Sequence, residues 1–447
     1  MRLDTDRRRG FSTGKRGRPP GPGCSLGTRR STAIVAALMA TPPVSLSELR
    51  RRMQADLDNN ILPFWAQRAF KPDGNLVGVI THDLREFDDV PRHVVLCARI
   101  LWTFAAAARR DPRPEWLAGG RKALALLDGP FRDTRHGGFF WSLTRDLRPH
   151  SPRKQVYAEA FTIYGLTEWY QATGDAAALA RAKEIFGLIE RHAREPRFGG
   201  YLEALDADWG PLADMRLSDK DLNSPKSNNT LLHILEAYTA LLRVWPDTRV
   251  RAALRDLLTI ILDRVVTTEP YPHCALFFDL EWRSLLPKFS YGHDIEASWL
   301  FWEAAVAVGD PALLARTKTT ALALADGVRA HGLDADGAVL YDGDASGPLN
   351  TDKHWWPQAE AIVGFLNAYQ LGGNEAHLAA AVRAWDFTEK HVVDAQHGEW
   401  FAVLDRSGKV YPDYPAYADS QKIGPWKCPY HNARACLEVL RRVPEDR

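Results

Sequence analysis

Residues 154–194 read KQVYAEAFTIYGLTEWYQATGDAAALARAKEIFGLIERHAR. Ala, Ile, Leu and aromatic residues recur at helical spacing from Lys154 to Ala172. Thr173-Gly174-Asp175 interrupts them, and the spacing resumes from Ala176 to Arg194. The same order returns later, with Trp355 to Gln370, the breaker Leu371-Gly372-Gly373-Asn374, and Glu375 to His391. Short Gly and aromatic segments stand between such helix pairs: 74–78, 136–141, 198–201, 275–278, 337–341 and 397–401. Markers at Gly78, Gly138, Gly200, Leu276, Val339 and Trp400 are 60, 62, 76, 63 and 61 residues apart, which is a period. Several of these segments run on into acidic or turn-rich stretches, so each reads as a short hairpin or extended loop.

The repeating unit is therefore loop, helix, turn, helix. A further helix at about Leu46 to Leu62, with Ser45 and Glu48 spaced as a capping box and Pro63 as its stop, completes six pairs. Six such pairs predict an all-α fold, an (α/α)6 barrel with short hairpins or loops at one end. No linker divides residues 46–447, which form one domain. Residues 1–45 differ in kind: Arg7, Arg8, Arg9, Lys15, Arg16, Arg18, Arg29 and Arg30 lie among Gly, Pro and Ser before the short apolar run Ala33–Ala40. The run is short and the basic part long for a secretory leader, and the segment reads as a disordered extension.

Composition narrows the function. The 447 residues carry 57 Lys and Arg against 56 Asp and Glu, so no net field draws nucleic acid or an anionic membrane. No apolar run approaches the ~20 residues of a membrane span. Five cysteines without paired spacing read as reduced thiols in a cytoplasmic protein, a monomer or weak dimer. Fifteen Trp suit packing and also suit the faces of sugar rings.

The first helix of each pair carries unusual polar residues. In the third, Leu231, Leu235, Tyr238 and Leu242 make an apolar stripe, while Asn229 and His233 lie on another side, which predicts a cavity there instead of solvent. His293 and Glu296 in the fourth and His431 in the sixth occupy comparable stations, as do Arg99, Tyr157 and Trp356 in the first, second and fifth. Titratable groups converging on one cleft are costly unless used. His233-x-x-Glu236 and His293-x-x-Glu296 have helical metal-ligand spacing, but a Cys or carboxylate-rich ligand set is missing. A His beside a Glu is equally a base held in one tautomer, so no metal is expected. Asp334-x-Asp336-Gly337 lacks the later ligands of a calcium loop and reads as a turn.

Five ordered motifs resemble the N-acylglucosamine 2-epimerase superfamily, and most of all its cellobiose 2-epimerase branch. They are Leu96–Phe104, Lys226–His233, Tyr291–Trp299, Trp355–Glu360 and Gly424–Asn432. The likeness spans about residues 46–440, and Cys97 stands where the branch has Asn. The resemblance implies epimerisation at C2 of the reducing-end glucose of a β-1,4-linked disaccharide. His293 and His431 would then be the acid/base pair, with His431 assisting ring opening, and His233 and Arg99 would bind the C1 or C2 oxygens. It assigns Glu296 to orienting a histidine or binding hydroxyls, Tyr157 and Asn229 to hydroxyl contacts, Trp356 and Trp426 to stacking, and Asp221 to the non-reducing sugar. No cofactor is implied. A mannose isomerase or N-acylglucosamine epimerase of the same superfamily, a glycosidase on the same barrel and a non-catalytic sugar-binding protein are the alternatives.

Overall fold

The computed structural model describes residues 45–445, and the basic segment singled out above falls outside them but for Ser45. The described residues form twelve helices. Six inner helices are α2 (Val94–Arg110), α4 (Val156–Thr173), α6 (Asn228–Val244), α8 (Tyr291–Val308), α10 (Trp355–Gly372) and α12 (Tyr430–Arg442). Each packs on the next, and α12 packs on α2, so the ring closes. The outer helices are α1 (Leu46–Asp56, running on through Leu57–Ile61 and Leu62–Arg68), α3 (Pro114–Asp128), α5 (Ala176–Leu188), α7 (Thr248–Ile260), α9 (Pro311–Gly327) and α11 (Glu375–Phe387). The (α/α)6 barrel expected from the repeats is the fold. Helix α1, the first of the described helices, packs on α12, the last of them, so one pair is assembled from opposite ends of the domain.

The turn inside a pair has a local cause. Gly174, Gly309 and Gly373 end α4, α8 and α10 in the left-handed conformation that costs glycine least. The next residue, Asp175, Asp310 or Asn374, accepts the first free N–H groups of the following outer helix. Helices α5, α7, α9 and α11 each run on into a single π turn, at Ile189–Ala193, Ile261–Val265, Val328–Gly332 and Thr388–Val392.

Two details of α1 differ from expectation. Ser45 caps nothing with its hydroxyl, because Glu48 pairs with Arg51 one turn on instead of reaching back. Nor does Pro63 stop the helix: Leu46–Asp56, a π turn at Leu57–Ile61 and Leu62–Arg68 are continuous. The widened turn just before the proline gives its ring the room that an α-helical carbonyl would deny it.

The loops also differ from simple hairpins. A short strand before each of five inner helices pairs antiparallel with the segment after the outer helix of the same unit: Arg92–His93 with Ser142–Leu143, Lys154–Gln155 with Ala204–Leu205, Lys226–Ser227 with Phe277–Phe278, Lys288–Ser290 with Asp342–Asp344, and Lys353–His354 with Val403–Leu404. A bridge between Ile80 and Ile423 fills the sixth place. Each of these six places opens on a cation. Arg92, Lys154, Lys226, Lys353 and Lys422 are fully buried and Lys288 is half-buried. Their partners are loop acids: Lys154 with Asp133 at 2.7 Å, Lys226 with Glu195 at 3.3 Å, Lys353 with Asp336 at 2.5 Å and Lys422 with Asp394 at 2.7 Å. This ring of ladders tethers the N-terminal ends of the inner helices, and those ends carry the polar residues of the barrel axis.

Candidate active site

Arg99 is the sixth residue of α2 and is 2 % exposed. It donates to Tyr157 Oη at 2.5 Å and to Cys428 Sγ at 3.7 Å, and its guanidinium lies 4.1 Å from the Phe161 ring and 4.9 Å from that of Tyr430. No carboxylate pairs with it, and its Nε is enclosed without a partner among the described residues. A buried guanidinium compensated only by ring faces, a phenol and a thiol is poised for an anion that comes and goes.

Beside it, His233 stands edge-on to Tyr157, ring centroids 5.0 Å apart, and 4.6 Å from Phe161. Its Nδ1 meets Glu236 Oε2 at 3.0 Å, one helical turn along α6. Burial pushes His233 down, against the Glu236 hydrogen bond, so the imidazole is held in one tautomer instead of charged. Asn229 lies one turn before His233 on α6 and is half-buried.

His293 and His431 both lie against one indole. Trp356 lies 4.8 Å from the His293 ring and 5.7 Å from that of His431. Gly292 makes this possible, since a Cβ there would fall 2.5 Å from the Trp356 ring. His293 Nδ1 is enclosed without a hydrogen-bond partner among the described residues. Burial, helped by the field of His233, pushes His293 down to about 3 and keeps it a neutral base. His431 Nδ1 meets Glu360 Oε1 at 2.6 Å, and burial together with Arg99 and Arg434 holds His431 well below its ordinary value.

Beneath the imidazoles sits a charged layer of which the sequence disclosed Glu236 and Glu296 but not Glu360 or Arg434. Arg434, fully buried on α12, donates through Nη2 to Glu296 Oε1 and Glu360 Oε1, each at 2.6 Å, and through Nη1 to Glu236. Tyr430 donates to Glu236 at 2.6 Å, and Trp299 Nε1 to Glu360 Oε2 at 3.0 Å. The signal was spacing: Glu236 is three after His233, Glu360 four after Trp356 and Arg434 three after His431, each one turn deeper on the same face. Glu296, Glu360 and His431 are the one set of His and carboxylate groups close enough to share a metal ion among the described residues, and there Arg434 supplies the positive charge.

At the mouth, Trp426 packs 6.3 Å from Tyr157 and 6.1 Å from Trp141. The structure thus gathers Arg99, Tyr157, His233, His293, Glu296, Trp356, Trp426 and His431 around one axis. Asp221 stands apart, in the loop between Leu205 and Lys226. Its carboxylate accepts the Ser218 N–H and Oγ–H, both at 2.8 Å, and no hydrogen bond joins it to the imidazoles.

The sequence profile of the family described as N-acylglucosamine 2-epimerase (GlcNAc 2-epimerase) matches residues 79–422. A cellobiose 2-epimerase of Bacteroides fragilis is 40% identical over 394 residues, 88% of this chain and 98% of that protein. The chain belongs to the N-acylglucosamine 2-epimerase family. Other members lie nearby: a cellobiose 2-epimerase of Dictyoglomus turgidum is 33% identical over 90% of this chain and all of that one. The solved cellobiose 2-epimerase of Bacillus thermoamylovorans superposes with a TM-score of 0.82 at 32% identity, covering 89% of this chain and 100% of that one. A D-mannose isomerase at 20% identity, TM-score 0.77, shares the fold. The family expected from the five motifs is therefore the family found. No helix among the described residues is long and apolar enough to cross a membrane.

Proposed function

We propose that the protein is a cellobiose 2-epimerase, converting the reducing-end glucose of β-1,4-linked disaccharides reversibly into mannose. The observation that carries this reading is Arg99: a buried guanidinium with no carboxylate, facing a site of neutral imidazoles borne by separate helices. Such a site is built for negative charge that appears only during reaction.

The C2 proton becomes acidic once the ring opens and C1 is a carbonyl. Epimerisation then needs a base on one face of the planar enediolate and an acid on the other. His293 and His431, both against Trp356, fill these roles and exchange them with direction, and His431 assists ring opening. Arg99 and His233 hold the oxygen on which charge develops. Glu296 and Glu360 act from behind through Arg434 and His431. Tyr157 and Asn229 bind hydroxyls, while Trp356 and Trp426 offer faces to the sugars and Asp221 a carboxylate to the non-reducing one. The glycosidase alternative needs two free carboxyls astride a glycosidic bond, whereas Glu236, Glu296 and Glu360 are all tied to Arg434. The reading includes no metal or organic cofactor, a catalytic domain at 46–447 with residues 1–45 outside it, and a cytoplasmic monomer or weak dimer. Four buried free cysteines accord with a reducing compartment.

The test is incubation with cellobiose in D2O, followed by NMR. Deuterium at C2 of an intact glucosyl-mannose is expected. Release of glucose, or binding without exchange, would refute the reading.

A further inference from the structure

Counting the buried charges around the axis exposes an imbalance. Arg99 and Arg434 supply two positive charges. Glu236, Glu296 and Glu360 supply three negative ones if all are ionised, and the imidazoles of His233, His293 and His431 are neutral. The neighbouring pair of Lys427 with Glu399 balances itself. One proton on the carboxylates therefore brings the cluster to neutrality, which a buried cluster strongly favours.

Its seat follows from the contacts. Glu236 accepts from Arg434, Tyr430 and His233. Burial works against its charge, but these partners outweigh it and hold the carboxyl down to about 2, so Glu236 is ionised. Glu296 and Glu360 share a single Arg434 nitrogen, and burial raises both, with Glu360 adding to the rise of Glu296. One proton thus belongs to that pair. Only Glu360 of the two touches an imidazole, at 2.6 Å from His431 Nδ1, a contact a carboxyl proton fits as well as an imidazole proton.

We propose that Glu360 is the proton store behind His431: the imidazole stays neutral, gives its Nε2 proton to C2 and takes the Glu360 carboxyl proton on Nδ1 in the same event. This rests on the epimerase reading above. The step balances: the N–H bond at Nε2 breaks as the C2–H bond forms, the O–H bond of Glu360 breaks as Nδ1–H forms, and Glu360 is left a carboxylate. His293 has meanwhile taken one proton from the other face of C2, and releases it to water while His431 and Glu360 are recharged from water. The reverse direction starts from the state this step leaves, with His293 protonated, His431 protonated on Nδ1 alone and Glu360 a carboxylate: His431 Nε2 takes the C2 proton as Nδ1 returns its own to Glu360, and His293 gives its proton to the other face. Glu360 acts through His431 and never touches the sugar.

Two measurements test this. In protein labelled with 15N at histidine, with His431 assigned by its loss in His431→Asn, His431 is expected to keep one protonated and one bare ring nitrogen from pH 5 to 8. A charged imidazole with both nitrogens protonated near neutral pH overturns the proposal, and this readout needs no substrate. In Glu360→Gln the hydrogen bond survives but the proton cannot be stored. Turnover should fall about 10²- to 10⁴-fold with KM within about threefold, and Glu360→Asp should restore part of it. In mixtures of H2O and D2O the rate of the unaltered protein should curve with deuterium fraction, as two moving protons require, and that of Glu360→Gln should be linear. Turnover within threefold of the parent in Glu360→Gln, or a linear response in the parent, overturns the proposal. Absence of any C2 exchange by the unaltered protein with cellobiose would instead remove the epimerase reading, leaving the nitrogen measurement to judge the charge arrangement.

Discussion

In the proposed reaction Arg99 is the residue on which the chemistry turns, and its environment makes an unusual prediction. Lysine in its place keeps the charge but cannot span Tyr157, Cys428 and an oxyanion together, so Arg99→Lys should lower kcat with cellobiose by about 10²-fold or more. Circular dichroism should be unchanged, because no ion pair is lost. His293 yields a pH prediction. With burial holding it down to about 3, it stays an unprotonated base throughout neutral and mildly acidic solution. The rate should therefore show no loss with an apparent pKa near 6.5 as pH falls from 8 to 5, a profile that initial rates across that range would check. At this scale the sequence disclosed the three imidazoles and Arg99, because such side chains are conspicuous on otherwise apolar helices. Glu360 and Arg434 escaped. A charged residue one turn deeper on a helix is indistinguishable in sequence from one that faces water, and only the closed ring shows it buried.

Among the elements, the fourth residue of an inner helix repeatedly anchors the loop after the preceding unit. Gln358 Oε1 accepts the Val339 N–H at 2.7 Å while its Nε2 donates to the Val339 carbonyl at 2.8 Å. Glu159 accepts the Phe139 N–H at 2.8 Å, but its other oxygen is enclosed and unpaired, and burial pushes Glu159 up to about 8. Asp294 likewise accepts the Cys274 N–H, and burial pushes it up to about 8. These acids bind their protons more tightly folded than unfolded. Their contribution is whole below about pH 4.5 and is lost as pH rises toward 8. Glu159→Gln, copying Gln358 at the same place in α10, should raise stability at pH 8 by on the order of 2 kcal/mol and leave pH 4.5 nearly unchanged, as thermal melts at the two values would show. The ladder cations give a contrast within one molecule. Lys422→Met strands Asp394 in the interior and should cost about 3 kcal/mol in urea unfolding, whereas Lys288→Met, at a half-exposed pair with Asp342, should cost less than about 1 kcal/mol. The six-fold recurrence of these cations was present in the chain all along, but a lysine before a helix announces nothing until its acid is found, 17 residues earlier for Lys353 and 31 residues earlier for Lys226.

For the whole molecule, helix count, pairing and period were legible because the period of 3.6 and the glycine breaks are local signals. Pro63 misled because the rule against internal prolines assumes an α-helical turn before it. Closure was not legible in any single segment: it depends on α1 meeting α12. Arg50 of α1 donates to the carbonyl of Val443 at 2.9 Å. Glu399 accepts from Trp65 Nε1 of α1 at 3.1 Å and from Asn432 Nδ2 of α12 at 2.6 Å. Removing residues 1–68 should accordingly leave α12 without its outer partner and abolish a single cooperative melt, which calorimetry would register. The same arrangement has a consequence during synthesis. Eleven of the described helices leave the ribosome before the one that carries His431 and Arg434, and until it docks Glu236, Glu296 and Glu360 face one another with no guanidinium between them. Until then the barrel is a self-repelling cup, and α12 is at once the stave that closes it and the cation that makes it habitable.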